Sequence, residues 1–138
     1  MRQSCVIDGK IVPKGRPRFY MQNGHARAYT PEATATYENW VRMCWNAWHN
    51  TRFDDDAQLM VRIDAVFEMP KSASKKKQAQ MLDGAVRPTK KPDCDNIAKT
   101  ILDALNGIAY KDDSQVVQLT VYKCYGDQEQ ILLSITEV

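Results

Sequence analysis

No run of about 18 apolar residues occurs in this chain, so a membrane-spanning helix is excluded as its organising feature. Cys5, Cys44, Cys94 and Cys124 form no C-x-x-C pair, and His25 and His49 stand in no ligand-like spacing with them. A zinc site is therefore not expected, and four scattered thiols suit free residues in a reducing compartment. Met1-Arg2-Gln3-Ser4-Cys5 lacks the apolar block and cleavage site of a secretory signal, and the expectation is a cytoplasmic protein. Internal repeats, linkers and low-complexity tracts are missing as well. A length of 138 residues with 43% hydrophobic and 26% charged composition fits one domain over residues 1–138.

An excess of one charge is also missing, since 19 Lys+Arg stand against 17 Asp+Glu for a net charge of +2. Spread evenly, that balance would argue against a polyanionic partner, but the spread is uneven. Residues 1–30 hold six cations (Arg2, Lys10, Lys14, Arg16, Arg18, Arg27) and one anion, Asp8. Residues 71–91 hold seven cations (Lys71, Lys75, Lys76, Lys77, Arg87, Lys90, Lys91) against Asp83 alone. Five anions, Asp93, Asp95, Asp103, Asp112 and Asp113, then follow in quick succession. A charge run alone is an ordinary solvated face. Cations beside clustered carboxylates are what an enzyme acting on phosphodiesters needs, the first for the backbone and the second for metal.

Hydrophobic periodicity predicts an α+β, mixed α/β domain. Residues 6–12, β-branched around Asp8-Gly9, read as a short strand pair or a bulged strand. Residues 13–19 hold two prolines and a glycine, which give an irregular loop presenting three cations. Thr30 can cap a helix with Pro31 at its first position and Glu32 in its first turn. Ala33, Tyr37, Trp40, Val41, Cys44, Ala47 and Trp48 carry that helix to about residue 50, its tryptophans read as core. Leu59, Val61, Ile63, Ala65, Phe67 and Met69 alternate as a half-buried strand. A short helix starts at Ser72 or Ser74 and ends at Gly84, a basic loop covers 85–92, and a second firm helix runs from about Asp95 to Asn106 with Gly107 at its end. Val117, Leu119 and Val121, a Gly126-Asp127 turn, and Ile131, Leu133 and Ile135 predict a C-terminal β-hairpin packed with the mixed sheet against the two main helices.

The densest chemistry is Lys90-Lys91-Pro92-Asp93-Cys94-Asp95-Asn96-Ile97-Ala98-Lys99, followed by Tyr110-Lys111-Asp112-Asp113-Ser114-Gln115. Asp93 and Asp95 lie at a helix entrance, where their carboxylates can converge as hard oxygen ligands suited to Mg²⁺ or Mn²⁺. Asp103 lies about 12 Å along the helix from Asp95, too far to share one ion. Counting back by twos from Val117 along an extended chain makes Asp113 the better third ligand and Asp112 the more solvated neighbour. Lys99, one turn past Asp95, can stabilise negative charge building on a phosphate. The same residues also fit a plainer account, with Asp95 as a helix cap, Asp112-Asp113 as a turn, and Asp95, Lys99 and Asp103 as an exposed ladder.

The string Lys91-Pro92-Asp93-Cys94-Asp95-Asn96-Ile97-x-Lys99, with Asp103-Ala104-Leu105-Asn106-Gly107 and Tyr110-x-Asp112-Asp113-x-Gln115-Val116, resembles the signature of the RusA family of Holliday-junction resolvases. Pro13 to Phe19, Tyr29-Thr30-Pro31-Glu32 and Met69-Pro70-Lys71-Ser72 are similar to that family too. The resemblance implies a small homodimeric, Mg²⁺-dependent endodeoxyribonuclease, bacterial or phage-derived, that nicks two strands of a four-way DNA junction symmetrically in recombination and repair. It places Asp93, Asp95 and Asp113 on the metal and makes Lys99 catalytic. Lys14, Arg16, Arg18, Lys75, Lys76, Lys77, Lys90 and Lys91 are then the expected contacts to DNA backbone. A restriction-type nuclease core fits less well, because Pro92-Asp93 is followed by no acidic-x-Lys triplet. A non-catalytic nucleic-acid-binding phage protein, and a structural protein meeting an acidic partner, remain alternatives at this point.

Overall fold

A computed structural model describes residues 1–138. In chain order the elements are β1 (Arg2–Asp8), β2 (Arg18–Gln22), β3 (His25–Tyr29), α1 (Glu32–Trp48), β4 (Leu59–Glu68), α2 (Lys75–Leu82), α3 (Cys94–Ala104), β5 (Val116–Gly126) and β6 (Gln130–Glu137), with one 3-10 turn at Asp113–Gln115. The α+β expectation holds: a four-stranded mixed sheet in the order β1-β6-β4-β5 carries the helices, and β2-β3 stands apart as a two-stranded ribbon. No helix is long and apolar enough to cross a membrane.

The period of two predicted for β4 places Leu59, Val61, Ile63, Ala65 and Phe67 on the buried face, with Met60 and Arg62 on the other. Cys5 and Ile7 from β1 and Ile131, Leu133 and Ile135 from β6 extend that apolar layer. Against it α1 lays Tyr37, Val41 and Trp45, and α3 lays Ile97, Ala98, Ile101 and Leu102, giving one contiguous core of 24 residues. Each large apolar side chain fully buried there stabilises the fold by about 1.5–3 kcal/mol.

Several sequence expectations need correction. Strand β1 begins four residues earlier than predicted and stops at Asp8, because Gly9 takes φ +103 and the Ile11 amide donates to the Glu129 carboxylate at 2.6 Å. Its opening was hidden by buried Gln3, a polar residue on the core face. The N-cap of α1 is Pro31 instead of Thr30, with no side-chain cap, and the Pro31 carbonyl accepts from the Ala35 amide at 3.0 Å. The tryptophans also part company. Trp45 is 1% exposed in the core, whereas Trp40 and Trp48 are 42% and 70% exposed, since the buried stride is Tyr37, Val41, Trp45.

The predicted C-terminal hairpin does not form. β5 pairs in parallel with β4, β6 pairs antiparallel with β4, and so β4 lies between the two strands. Alternation is the same whichever neighbour a strand takes, so the pattern could not distinguish the two arrangements. The crossing is marked by Gly126, where a Cβ would stand 2.6 Å from Val66 Cγ1. A parallel pair needs a long crossover, and residues 69–115, with α2 and α3, supply it. That crossover carries every candidate metal ligand.

The β2-β3 ribbon was not expected: Arg18 and Phe19 were placed at the end of the irregular loop over 13–19, and residues 20–29 were assigned no element. Its signal is Asn23-Gly24, with φ +52 and +76, the left-handed pair a two-residue hairpin turn demands.

Candidate active site

Asp93 occupies the N-cap of α3 with extended backbone (φ −70, ψ 159), yet its carboxylate makes no cap hydrogen bond. Asp95 sits exposed in the first turn, where the helix dipole favours an anion. Neither carboxylate has an ion-pair or hydrogen-bond partner in the protein, so both are free to take an external cation. They line a cleft of about 330 Å³ with Asn96 and Lys99, closed on its other side by Lys14–Pro17. Larger hollows of about 500 and 660 Å³ lie beside Trp48 and Trp40, but neither gathers this chemistry.

The far wall is irregular chain held in place by side chains. Asn96 acts as a clamp: its Oδ1 accepts from the Lys14 amide at 2.7 Å and its Nδ2 donates to the Lys14 carbonyl at 3.1 Å. The Gly15 amide donates to buried Thr34 Oγ1 at 2.8 Å, an approach only glycine permits, since a Cβ would come within 2.9 Å of Pro31 Cγ. Lys14 Nζ then reaches Asp103 at 3.0 Å and buried Glu38 at 3.6 Å. The other oxygen of Asp103 holds Lys99 Nζ at 3.1 Å. Lys99 and Lys14 are thus bridged by one carboxylate.

That bridge reinforces the protonated form of Lys99. Its pKa is raised, first by the hydrogen bond to Asp103 and its charge, then by Asp113 and Asp112. Lys99 is therefore a persistent cation at neutral pH, suited to stabilising negative charge and unsuited to acting as a base. Asp113 acts on it from the 3-10 turn, whose backbone is fixed by the Asp113 amide donating to Asn106 Oδ1 at 2.9 Å. The extended chain assumed for Asp113 is absent, so the alternation count does not apply. Asp112 is set apart differently: it caps the turn by accepting from the Ser114 amide at 3.0 Å, and Gln115 Oε1 closes the box on the Asp112 amide at 3.2 Å.

Asp93, Asp95 and Asp113 are not gathered into a ready-made group of three metal ligands. The donor chemistry nevertheless suits a hard cation, because carboxylate oxygens alone are offered and Cys94 does not line the cleft.

The family model for Endodeoxyribonuclease RusA matches residues 8–136. The chain belongs to the RusA endodeoxyribonuclease family. It is also 36% identical over 135 residues, 96% of this chain and 94% of the other, to the uncharacterized protein YqaN of Bacillus subtilis (strain 168). The RusA match covers the clamped loop, α3 and the 3-10 turn together.

Among the cations expected on DNA in this RusA-family chain, Lys14 is the one whose ammonium is already paired with carboxylates, those of Asp103 and Glu38. Arg16 and Arg18 are exposed and pair with no carboxylate, and Arg16 borders the cleft. Lys75, Lys76 and Lys77 form the exposed first turn of α2, behind Ser74, which accepts from the Lys77 amide at 3.2 Å. Lys90 lies over the Phe67 ring at 5.4 Å and its carbonyl accepts from Lys123 Nζ, while Lys91 is exposed. None of Lys75–Lys77, Lys90 or Lys91 lines the cleft. Asn96, Asn106 and Glu38 were given no role from sequence, and Asp103 was read as too distant for the metal and as part of a ladder with Asp95 and Lys99, of which the Lys99–Asp103 rung forms. For Asn96, Asp103 and Asn106 the available signal was their place in the RusA-like string.

Proposed function

We propose that this chain is a Mg²⁺-dependent endodeoxyribonuclease that resolves four-way DNA junctions by paired symmetrical nicks, serving recombination and repair in a bacterial or phage setting. The observation that carries it is the pair of unpartnered carboxylates, Asp93 and Asp95, sharing one cleft with the persistent cation Lys99 in a RusA-family chain. Mg²⁺, or Mn²⁺ in its place, held by Asp93, Asp95 and Asp113, would supply Lewis acidity at the phosphoryl oxygen and a water acidic enough to attack it. Lys99 stabilises the charge that accumulates on the phosphate, and Asp103 fixes where its ammonium stands. Lys14 holds the cleft wall, leaving Arg16, Arg18, Lys75, Lys76, Lys77, Lys90 and Lys91 to meet DNA backbone, with affinity that falls steeply as salt rises. Two symmetrical nicks require two clefts, which a two-fold homodimer supplies.

The test compares wild type with Asp95→Asn on a synthetic four-way junction and a linear duplex, with Mg²⁺. Nicking of the junction should fall by about 10²-fold or more while junction binding is retained or tightened, because a negative charge near phosphates is gone. Equal nicking by the two proteins would overturn the site.

A further inference from the structure

The β2-β3 ribbon is unexplained by the core. All ten of its strand residues are exposed and neither strand joins the main sheet. A lone two-stranded hairpin is at best marginally stable in water, so this one gains from something it meets.

Its register gives it two different faces. Phe19 opposes Ala28 and Met21 opposes Ala26, which puts these four apolar residues on one side. Arg18 with Tyr29, Tyr20 with Arg27 and Gln22 with His25 make the other, where the Tyr20 and Tyr29 rings lie 5.9 Å apart. Phe19 and Met21 are 72% and 70% exposed, among the most open apolar side chains of the molecule. No Asp or Glu occurs from Gly9 to Pro31, and neither Arg18 nor Arg27 pairs with a carboxylate. A second copy's ribbon would bring the same sign of charge, whereas a polyanion complements it.

Position narrows the partner further. Arg16 and Pro17 border the carboxylate cleft, and the ribbon starts at the next residue. Five residues of strand reach about 17 Å from that root, and two paired strands are slender enough for a DNA groove about 12 Å wide. In a closed duplex Phe19 and Met21 would have to unstack bases to bury themselves. At a branch point, base faces are already open.

We propose that the β2-β3 ribbon inserts at the branch point of the DNA junction, with Arg18 and Arg27 on phosphates and Phe19 and Met21 against the exposed base faces. This rests on the proposed junction-nicking activity and assigns to one element the discrimination between branched and linear DNA. The apolar side chains favour the branch, and the cations hold any DNA brought to the cleft.

The experiment uses the full chain in EDTA, with a four-way junction carrying 2-aminopurine at the branch point and a linear duplex of the same length, followed by nicking assays with Mg²⁺. Phe19→Ser with Met21→Ser should lower the junction-to-duplex affinity ratio about tenfold and abolish the change in 2-aminopurine fluorescence, leaving duplex affinity within about twofold. Arg18→Gln with Arg27→Gln should weaken binding to both DNAs and reduce the salt slope by about 2. Wild-type junction preference and fluorescence in the first double variant would overturn the ribbon's role while the nicking activity stands. Loss of a dimer in that variant by sedimentation, with junction preference intact, would assign the apolar face to a second copy and overturn it too. Failure of wild type to bind or nick junctions at all would overturn the activity itself, and the ribbon's role with it.

Discussion

Pro17 separates two regions of opposite construction. On one side, the Lys14–Pro17 wall and α3 are braced by Asn96, Thr34, Glu38 and Asp103. On the other, the ribbon has no bond to the main sheet and leaves its cations and its apolar residues equally open. The difference is what the two proposed roles require. Charge development on a phosphate is stabilised only by groups held to within a fraction of an ångström, so the cleft is cross-braced. Capture of a charged polymer works through screened, adaptable contacts, for which exposed side chains suffice.

The largest test of that division is Lys99→Ala, which should lower the nicking rate by about 10²–10³-fold at saturating junction while leaving junction affinity within a few-fold. Ribbon substitutions should do the reverse, changing affinity and selectivity and sparing the single-turnover rate on bound junction. Equal rate losses in both regions would break the comparison. Next in size is Asp103→Asn, with about a tenfold loss in rate. Because the Asp103 hydrogen bond is the main cause of the raised Lys99 pKa, the same variant should move the alkaline limb of the pH–rate profile downward. A profile that does not move would make Asp103 a purely structural brace.

What could be read from sequence divides along similar lines. The helices and β4 were legible because periodicity reports burial directly, and the shared placement of Asp93, Asp95 and Lys99 was legible because their offsets put the cap and first turns of α3 together at one end. Partner choice was not legible: β5 and β6 alternate identically whether they pair with each other or flank β4. Nor was the commitment of Lys14, since a lysine in a basic loop looks the same whether it meets phosphate or, as here, Asp103 from a helix far along the chain. The Trp45 register failed because Trp40 and Trp48 satisfy the same apolar count one face away.

A smaller effect separates the regions by stability. Asn96→Ala removes both hydrogen bonds of the Lys14 clamp and leaves part-buried backbone groups unpaired, a loss of about 1–3 kcal/mol that denaturant unfolding would measure. Met21→Ser on the ribbon should stay within about 0.5 kcal/mol of wild type. Amide exchange sharpens the contrast, for the Lys14 amide should lose protection in Asn96→Ala while ribbon amides remain as they were.

The smallest expected effect concerns Asp112 and tests whether the 3-10 turn presents Asp113 independently of pH. The Asp112 carboxyl is held below its ordinary value of 3.8, chiefly by its hydrogen bonds with Ser114 and in lesser part by the Lys99 charge. A lowered folded-state pKa means that the ionised cap contributes fully above 3.8 and is lost only as pH falls through the lower folded value. Across the neutral range the cap is therefore constant. The Ser114 amide resonance, followed by NMR, should titrate below 3.8 in wild type, and Lys99→Ala should move its midpoint upward, toward the ordinary value. A midpoint unchanged by Lys99→Ala would place Asp112 outside the reach of the cleft's charge and detach the turn from the site.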